Sequence, residues 1–121
     1  MGYDKTTLAM KGTIEVSIQE EVHVFVAKLK HDTYSNPIEL IVFKNTIGEV
    51  MAHIGDQGEY SLVSDGLFPP DRTWINKPIG SSGKHINGHC IDANSVEFYT
   101  DNGLDLNGYM DIRIEVYPET P

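Results

Sequence analysis

The clearest alternation of apolar and polar residues lies near the end of the chain. Every second residue between 110 and 116 is apolar, and a shorter run over 96–99 alternates in the same way. Successive side chains of a strand leave opposite faces of a sheet, so a period of two indicates half-buried strands. Between the two runs, residues 101–108 are rich in Asp, Asn and Gly, which reverse a chain easily. The pattern predicts a long antiparallel hairpin over 94–117 with a loop at its tip.

Short apolar runs upstream predict more strands. The run 22–29 is apolar on both faces, which indicates a central strand or one at a subunit contact. Residues 67–88 have no regular period and are rich in Pro and Gly. This segment predicts a long irregular loop, anchored by Phe68, Trp74 and Ile75. The remaining strands are predicted at 13–18, 38–43, 47–54, 60–64 and 89–91.

The number of strands defines the fold class. About seven or eight short strands, with no helical period, predict an all-β protein: an antiparallel β-sandwich of Ig-like or jelly-roll type. Both topologies fit the pattern. A chain of 121 residues is expected to form one domain. We assign residues 1–12 to a loose lead-in, 13–117 to the sandwich and 118–121 to a polar tail.

Charge and composition exclude several partners. The net charge of −9 and the scattered basic residues argue against binding to nucleic acid. No apolar run approaches the roughly 20 residues that a spanning helix needs, so membrane insertion is not expected. No signal peptide is evident at the start of the chain. The single cysteine, Cys90, rules out an internal disulfide.

The predicted tip loop contains the strongest candidate metal site. Carboxylate and amide oxygens lie close together there, as a hard cation such as Ca²⁺ prefers. The same residue types are also ordinary turn formers, and their spacing is not that of an EF-hand. The candidate calcium ligands are Asp101, Asn102, Asp105 and Asn107.

Parts of the second half of the chain resemble a lectin family. The residues on which the resemblance rests are 54–56 (IGD), 98–102 (FYTDN) and 107–108 (NG). They look like the second half of the calcium-dependent galactose-binding bacterial lectins, whose jelly rolls end with a strand, an Asp/Asn-rich calcium loop and a final strand. The resemblance covers less than half of the chain, and the loop here is shorter than the family's. It implies that the four candidate calcium ligands contact metal and sugar.

A second polar cluster, residues 85–92, could supply ligands to zinc or copper. It contains His85, His89, Cys90 and Asp92. On a strand His85 and His89 would lie too far apart for one ion, and the alternative is a small buried thiol beside exposed histidines. Adjacent strand residues face opposite ways, so His89 cannot activate Cys90 as a nucleophile. With no nucleophile elbow or phosphate loop, we expect no enzymatic activity.

Aromatic residues suggest a sugar-binding surface. Sugar sites stack an apolar ring face on an aromatic side chain and bind hydroxyls with Asp, Asn or Gln. Trp74 lies in the irregular region with Asp71 and Asn76 nearby, and Tyr99 precedes the tip loop. The competing interpretation is that Trp74 plugs the open end of the sandwich.

Two functions follow. The first is a non-enzymatic module that binds a glycan or cell-surface ligand through its Asp/Asn/Gly-rich loops, with calcium as a candidate cofactor. The alternative is a structural or assembly subunit, pilin-like or from a phage tail or virion, that pairs through sheet edges and forms homo-oligomers. Both favour a secreted, cell-surface or virion location.

Overall fold

The structure is a computed structural model that describes residues 21–32, 36–81, 85–101, 103–104 and 106–119. Nine strands lie within this part of the chain. They are β1 (His23–His31), β2 (Glu39–Asn45), β3 (Met51–Ile54), β4 (Glu59–Val63), β5 (Thr73–Ile75), β6 (Ile79–Gly80), β7 (Ile86–Asp92), β8 (Ser95–Thr100) and β9 (Gly108–Val116).

The strands form two antiparallel sheets, which confirms the predicted β-sandwich. One sheet has the order β2-β1-β9-β5, and β6 also pairs with β9. The other has the order β3-β4-β8-β7. The chain fills the two sheets alternately, two strands at a time, before β9 completes the first. Neighbours in sequence therefore often lie in different layers.

The core lies between the sheets and follows the two-residue period. Inward residues such as Phe25, Ile112 and Ile114 come from the first sheet, and Leu62 and Phe98 come from the second. All five side chains are almost fully buried. Each contributes roughly 1.5–3 kcal/mol relative to an exposed position, so the contact between these faces holds the sheets together.

The predicted C-terminal hairpin is wrong. The two strands exist, but β8 pairs with β4 and β7, whereas β9 pairs with β1, β5 and β6. The segment 101–107 therefore crosses from one sheet to the other. Alternation fixes which face of a strand is buried, but it does not fix the strand's partners. β8 forms a hairpin with β7, which directly precedes it, and β9 pairs with strands more distant in sequence.

The segment 67–88 is more regular than predicted, because it contains β5, β6 and the start of β7. Phe68 is fully buried, which confirms it as an anchor. The prediction that Trp74 is an anchor or a plug is wrong, since its side chain is 64% exposed. Trp74 lies in the middle of β5, and its half-buried neighbours Thr73 and Ile75 take the inward positions.

The predicted strand 22–29 is confirmed as central. It corresponds to β1, which lies between β2 and β9. The predicted strand 13–18 and the lead-in 1–12 lie outside the described residues. At the other end, residues 118–119 are described without regular structure.

We expect Gly88→Ala to destabilise the sandwich. A Cβ at Gly88 would lie 2.8 Å from Cδ1 of Phe98 and 3.3 Å from Cγ of Pro78. Phe98 is fully buried and cannot move away freely. Overpacking of this kind costs about 1–3 kcal/mol, measurable by urea unfolding. The control is Ile91→Ala, an exposed position on the same strand, which should change stability by less than about 0.5 kcal/mol. Equal unfolding midpoints for the two variants would contradict this packing.

Candidate functional site

A buried hydrogen-bonded group underlies one end of the sandwich. The hydroxyl of Tyr60 lies 2.7 Å from Nδ1 of His31, and the backbone amide of Leu106 donates to the same hydroxyl at 2.9 Å. Nε2 of His31 lies 3.0 Å from the carbonyl oxygen of Asn36. A carbonyl can only accept, so Nε2 carries the hydrogen, and in a neutral ring Nδ1 accepts from Tyr60. We call these contacts the Tyr60 link.

The Tyr60 link joins parts of the chain that are far apart in sequence. Tyr60 is on β4 in the four-stranded sheet, and His31 ends β1 in the five-stranded sheet. Leu106 lies on the segment that crosses between the sheets. Sequence reasoning missed this group, although the phase of β1 offered a signal. His31 follows Leu29 by two residues and therefore shares its buried face.

A close backbone contact fixes the start of the crossing segment. The amide of Thr100 donates to the carbonyl of Gly58 at 3.0 Å, and the hydroxyl of Thr100 donates to the carbonyl of Leu104 at 2.6 Å. Gly58 has a φ of 81°, and a Cβ there would lie 2.8 Å from the backbone of Gly103. Only glycine suits both the conformation and the space. The 55–58 turn therefore packs directly under residues 100–104.

We call this end of the sandwich the Asp101 end. Its described oxygen-bearing residues include Asn87, Asp101 and Asn107. The side-chain amide of Asn87 donates to the Asp101 carboxylate at 2.7 Å. Asn107 adopts a left-handed conformation with a φ of 47°, which asparagine tolerates better than most residues. His31, the last residue of β1, pairs with Gly108, the first residue of β9, so Asp32 and Asn107 adjoin this pair at the same end of the sheet.

A small polar cavity opens beside Asp32. Its volume is about 140 Å³, and it is lined by Lys30, His31, Asp32, Pro37 and Glu39. Of the predicted calcium ligands, Asp101 and Asn107 lie at the two ends of the crossing segment, while Asn102 and Asp105 lie outside the described residues. Asp32, which sequence reasoning did not associate with the loop, lies at the same end of the five-stranded sheet as Asn107.

No metal-binding cluster of carboxylate, histidine or cysteine side chains, for calcium or for a transition metal, forms among the residues that the structure describes. There is no group of three or more His, Cys, Asp or Glu side chains placed to hold an ion. In the second polar cluster, His89 is exposed and Cys90 is half-buried, with its thiol 3.5 Å from the carbonyl of Phe68. Burial raises the pKa of the Cys90 thiol, and the negative charge of Asp92 raises it by a smaller amount. A less acidic thiol is a weaker nucleophile at neutral pH.

An aromatic pair lies next to the Asp101 end, on the outer face of the four-stranded sheet. The rings of His89 and Tyr99 stack with centroids 5.3 Å apart and an interplanar angle of 29°. The Tyr99 hydroxyl donates to Glu97, and this hydrogen bond is the largest cause of a raised pKa at Tyr99. Tyr99 is also paired in register with Asn87, the residue that contacts Asp101.

The other predicted ligand residues lie in the five-stranded sheet or its connections. Trp74 pairs in register with Glu115 of β9. Asp71 lies before β5, and its exposed carboxylate is 3.9 Å from Arg72. The backbone amide of Asn76 donates to the backbone carbonyl of Arg113 at 3.1 Å. The structure thus brings Tyr99 and Asp101 together and separates both from Trp74.

Comparisons with protein-family models, curated proteins and solved structures find no match. Within the described ranges, the chain has no helix that is long and apolar enough to cross a membrane.

We expect Tyr60→Phe to loosen the crossing segment. The variant removes one acceptor from the Leu106 amide and one hydroxyl from His31, at a cost of about 1–3 kcal/mol. Urea unfolding and hydrogen exchange at the Leu106 amide measure both effects. The matched control is Tyr117→Phe, which removes an exposed hydroxyl bonded to Glu115. Equal hydrogen-exchange protection of the Leu106 amide in the two variants would contradict the role of the Tyr60 link.

We expect Glu97→Gln to lower the pKa of Tyr99 towards its ordinary value of about 10. The folded-state pKa is raised, so the bond stabilises the fold at pH below about 10 and is lost as pH rises through the folded pKa. The variant should therefore lose less stability on the alkaline side. Carbon-13 NMR of labelled tyrosines follows the titration. The control is Glu115→Gln, which should lower the pKa of Tyr117 and leave Tyr99 unchanged. An unaltered Tyr99 titration in Glu97→Gln would contradict the assignment.

Proposed function

We propose that this protein is a non-enzymatic glycan-binding module whose site spans the Asp101 end and the Tyr99–His89 pair. The observation that carries the proposal is the 2.7 Å hydrogen bond from Asn87 to Asp101. Asn87 lies beside Tyr99 in register, so this bond connects the polar loop to the aromatic pair. Neither part alone would distinguish a sugar site from a turn or from a surface ring.

The combination suits a sugar because a sugar has two kinds of surface. Its C–H faces pack on aromatic rings, and its hydroxyls need fixed donors and acceptors. His89 is exposed and Tyr99 is half-buried, so the pair offers ring surface to solvent. Glu97 and Asn87 supply oxygens on the two sides of the pair, and Asp101 is bonded to Asn87. The close contacts under residues 100–104 hold these groups in place without a ligand, which reduces the entropy lost on binding.

Calcium belongs to the proposal because of the kinds of donor atom at the Asp101 end. A hard cation takes six to eight oxygen ligands, from carboxylates, amides, carbonyls and water. Asp101 and Asn107 are the two described members of the predicted set, and Asp32 lies at the same end of the five-stranded sheet as Asn107. Together with Asn102 and Asp105 they would hold the ion. A bound calcium would coordinate sugar hydroxyls directly, while the chain's own residues orient the ring.

We expect a glycan array probed with the full chain to give binding that Asp101→Asn weakens at least tenfold. The variant removes the carboxylate that Asn87 orients. Chelation of calcium should have a similar effect on the native chain, and millimolar calcium should raise its melting temperature. Tyr99→Phe should keep most of the binding because the ring remains, whereas Tyr99→Ser should lose it.

The matched control is Asp65→Asn, which removes the same charge from an exposed turn beyond the far end of β4. It should bind like the native chain. Binding that is equally weak in Asp65→Asn and Asp101→Asn would indicate a general charge effect and contradict the site. Binding that survives both chelation and Asp101→Asn would contradict calcium and the loop together.

One observation favours the alternative of an assembly subunit. Within the described chain β2 is an edge strand, and its Val42 and Phe43 side chains are 46% and 62% exposed. An exposed apolar edge is a template for pairing with another chain. Sedimentation velocity over a concentration series decides this function, since an assembly subunit should associate and a strict monomer at high concentration should not.

A further inference from the structure

The outer face of the five-stranded sheet contains a groove that the proposed glycan site does not use. Its volume is about 390 Å³. The two central strands of the sheet, β1 and β9, form its floor. Its lining includes Lys28, Phe43, Lys77, Ile79, Asp111 and Arg113.

Two irregularities of the sheet build the walls of the groove. On one side, β2 has a bulge: Val26 pairs with Lys44 and Ala27 with Val42, so Phe43 is left without a register partner. A bulge redirects the side chain of the extra residue. On the other side, the chain leaves the sheet between β5 and β6, and Ile79 follows a buried proline, Pro78.

These walls hold apolar side chains in solvent. Phe43 and Ile79 are each 62% exposed, although both lie on elements anchored to the sheet. Exposed apolar surface costs roughly 25 cal/mol per Å² relative to burial. An apolar ligand that enters the groove would bury both side chains, and this burial would favour binding.

The charge of the groove is opposite to that of the chain. Three of the nine Lys and Arg residues line it, namely Lys28, Lys77 and Arg113, against one of the 18 Asp and Glu residues, Asp111. Lys28 pairs with Asp111 and lies over the ring of Tyr109, and Arg113 pairs with Glu115 of its own strand at 3.1 Å. Within the described chain no acidic side chain forms an ion pair with Lys77. An anion entering the groove therefore finds a cation that is available to it.

We propose that this groove binds a small amphipathic anion, an aromatic carboxylate with one or two fused rings. The ring body packs between Phe43 and Ile79, and the carboxylate pairs with Lys77. The volume lies in the range of small-molecule pockets, about 300–1,000 Å³. The excess of cations in an acidic chain selects an anion over a neutral molecule.

The experiment uses the full chain with 2-naphthoate as the probe and 2-naphthalenemethanol as a neutral molecule of similar size. Amide chemical shifts locate the site, and calorimetry gives the affinity. We expect naphthoate to bind at least tenfold more tightly than the alcohol and to shift the amides of residues 26–28, 76–79 and 111–113. Lys77→Glu should weaken naphthoate binding at least fivefold, whereas Lys77→Arg, which keeps the positive charge, should retain it.

Matched apolar variants separate a ligand site from a protein interface. Ile79→Ser should abolish naphthoate binding, while Met51→Ser, a 55% exposed position in the four-stranded sheet, should leave it unchanged. Equal affinities for the anion and the alcohol would overturn the proposal. So would a dimer in sedimentation that Ile79→Ser, but not Met51→Ser, converts to monomer, because a second copy would then cover the groove.

Discussion

A single buried phenol connects the two sheets at the end where the proposed site lies. Tyr60 belongs to one sheet, His31 to the other, and Leu106 to the segment that passes between them. Each group is almost fully buried, where an unmade hydrogen bond costs more than an exposed one. The loops above this link can be rich in Asp, Asn and Gly without losing their positions.

The strand order explains why polar and aromatic residues meet. If β8 and β9 formed a hairpin, the loop would project from one sheet edge, as the alternation suggested. Because β8 pairs with β7, the Asn87 side chain reaches Asp101 at 2.7 Å. Because β9 pairs with β1, Asp32 comes to the same end of the sheet as Asn107. The site is thus a product of topology as much as of the loop's composition.

Sequence predicted the fold class and most of the buried faces, because the two-residue period is a local property. It predicted Phe68 as an anchor, and Phe68 is fully buried. Strand partners depend on contacts distant in sequence, so the hairpin was predicted wrongly. Trp74 was misplaced for a related reason: a three-residue strand is too short to show its period among prolines. The groove had no sequence signal at all, since a bulge and a break create it.

The two outer faces of the sandwich differ in chemistry, and this difference separates the proposed glycan site from the groove. One carries an aromatic pair beside oxygens, and the other carries apolar walls beside cations. The most direct measurement is amide chemical-shift mapping of the full chain with a glycan that it binds. The account predicts shifts at Asp32, Asn87, Tyr99, Asp101 and Asn107. Shifts confined to the strands around Phe43 and Trp74, with these five amides unmoved, would contradict it.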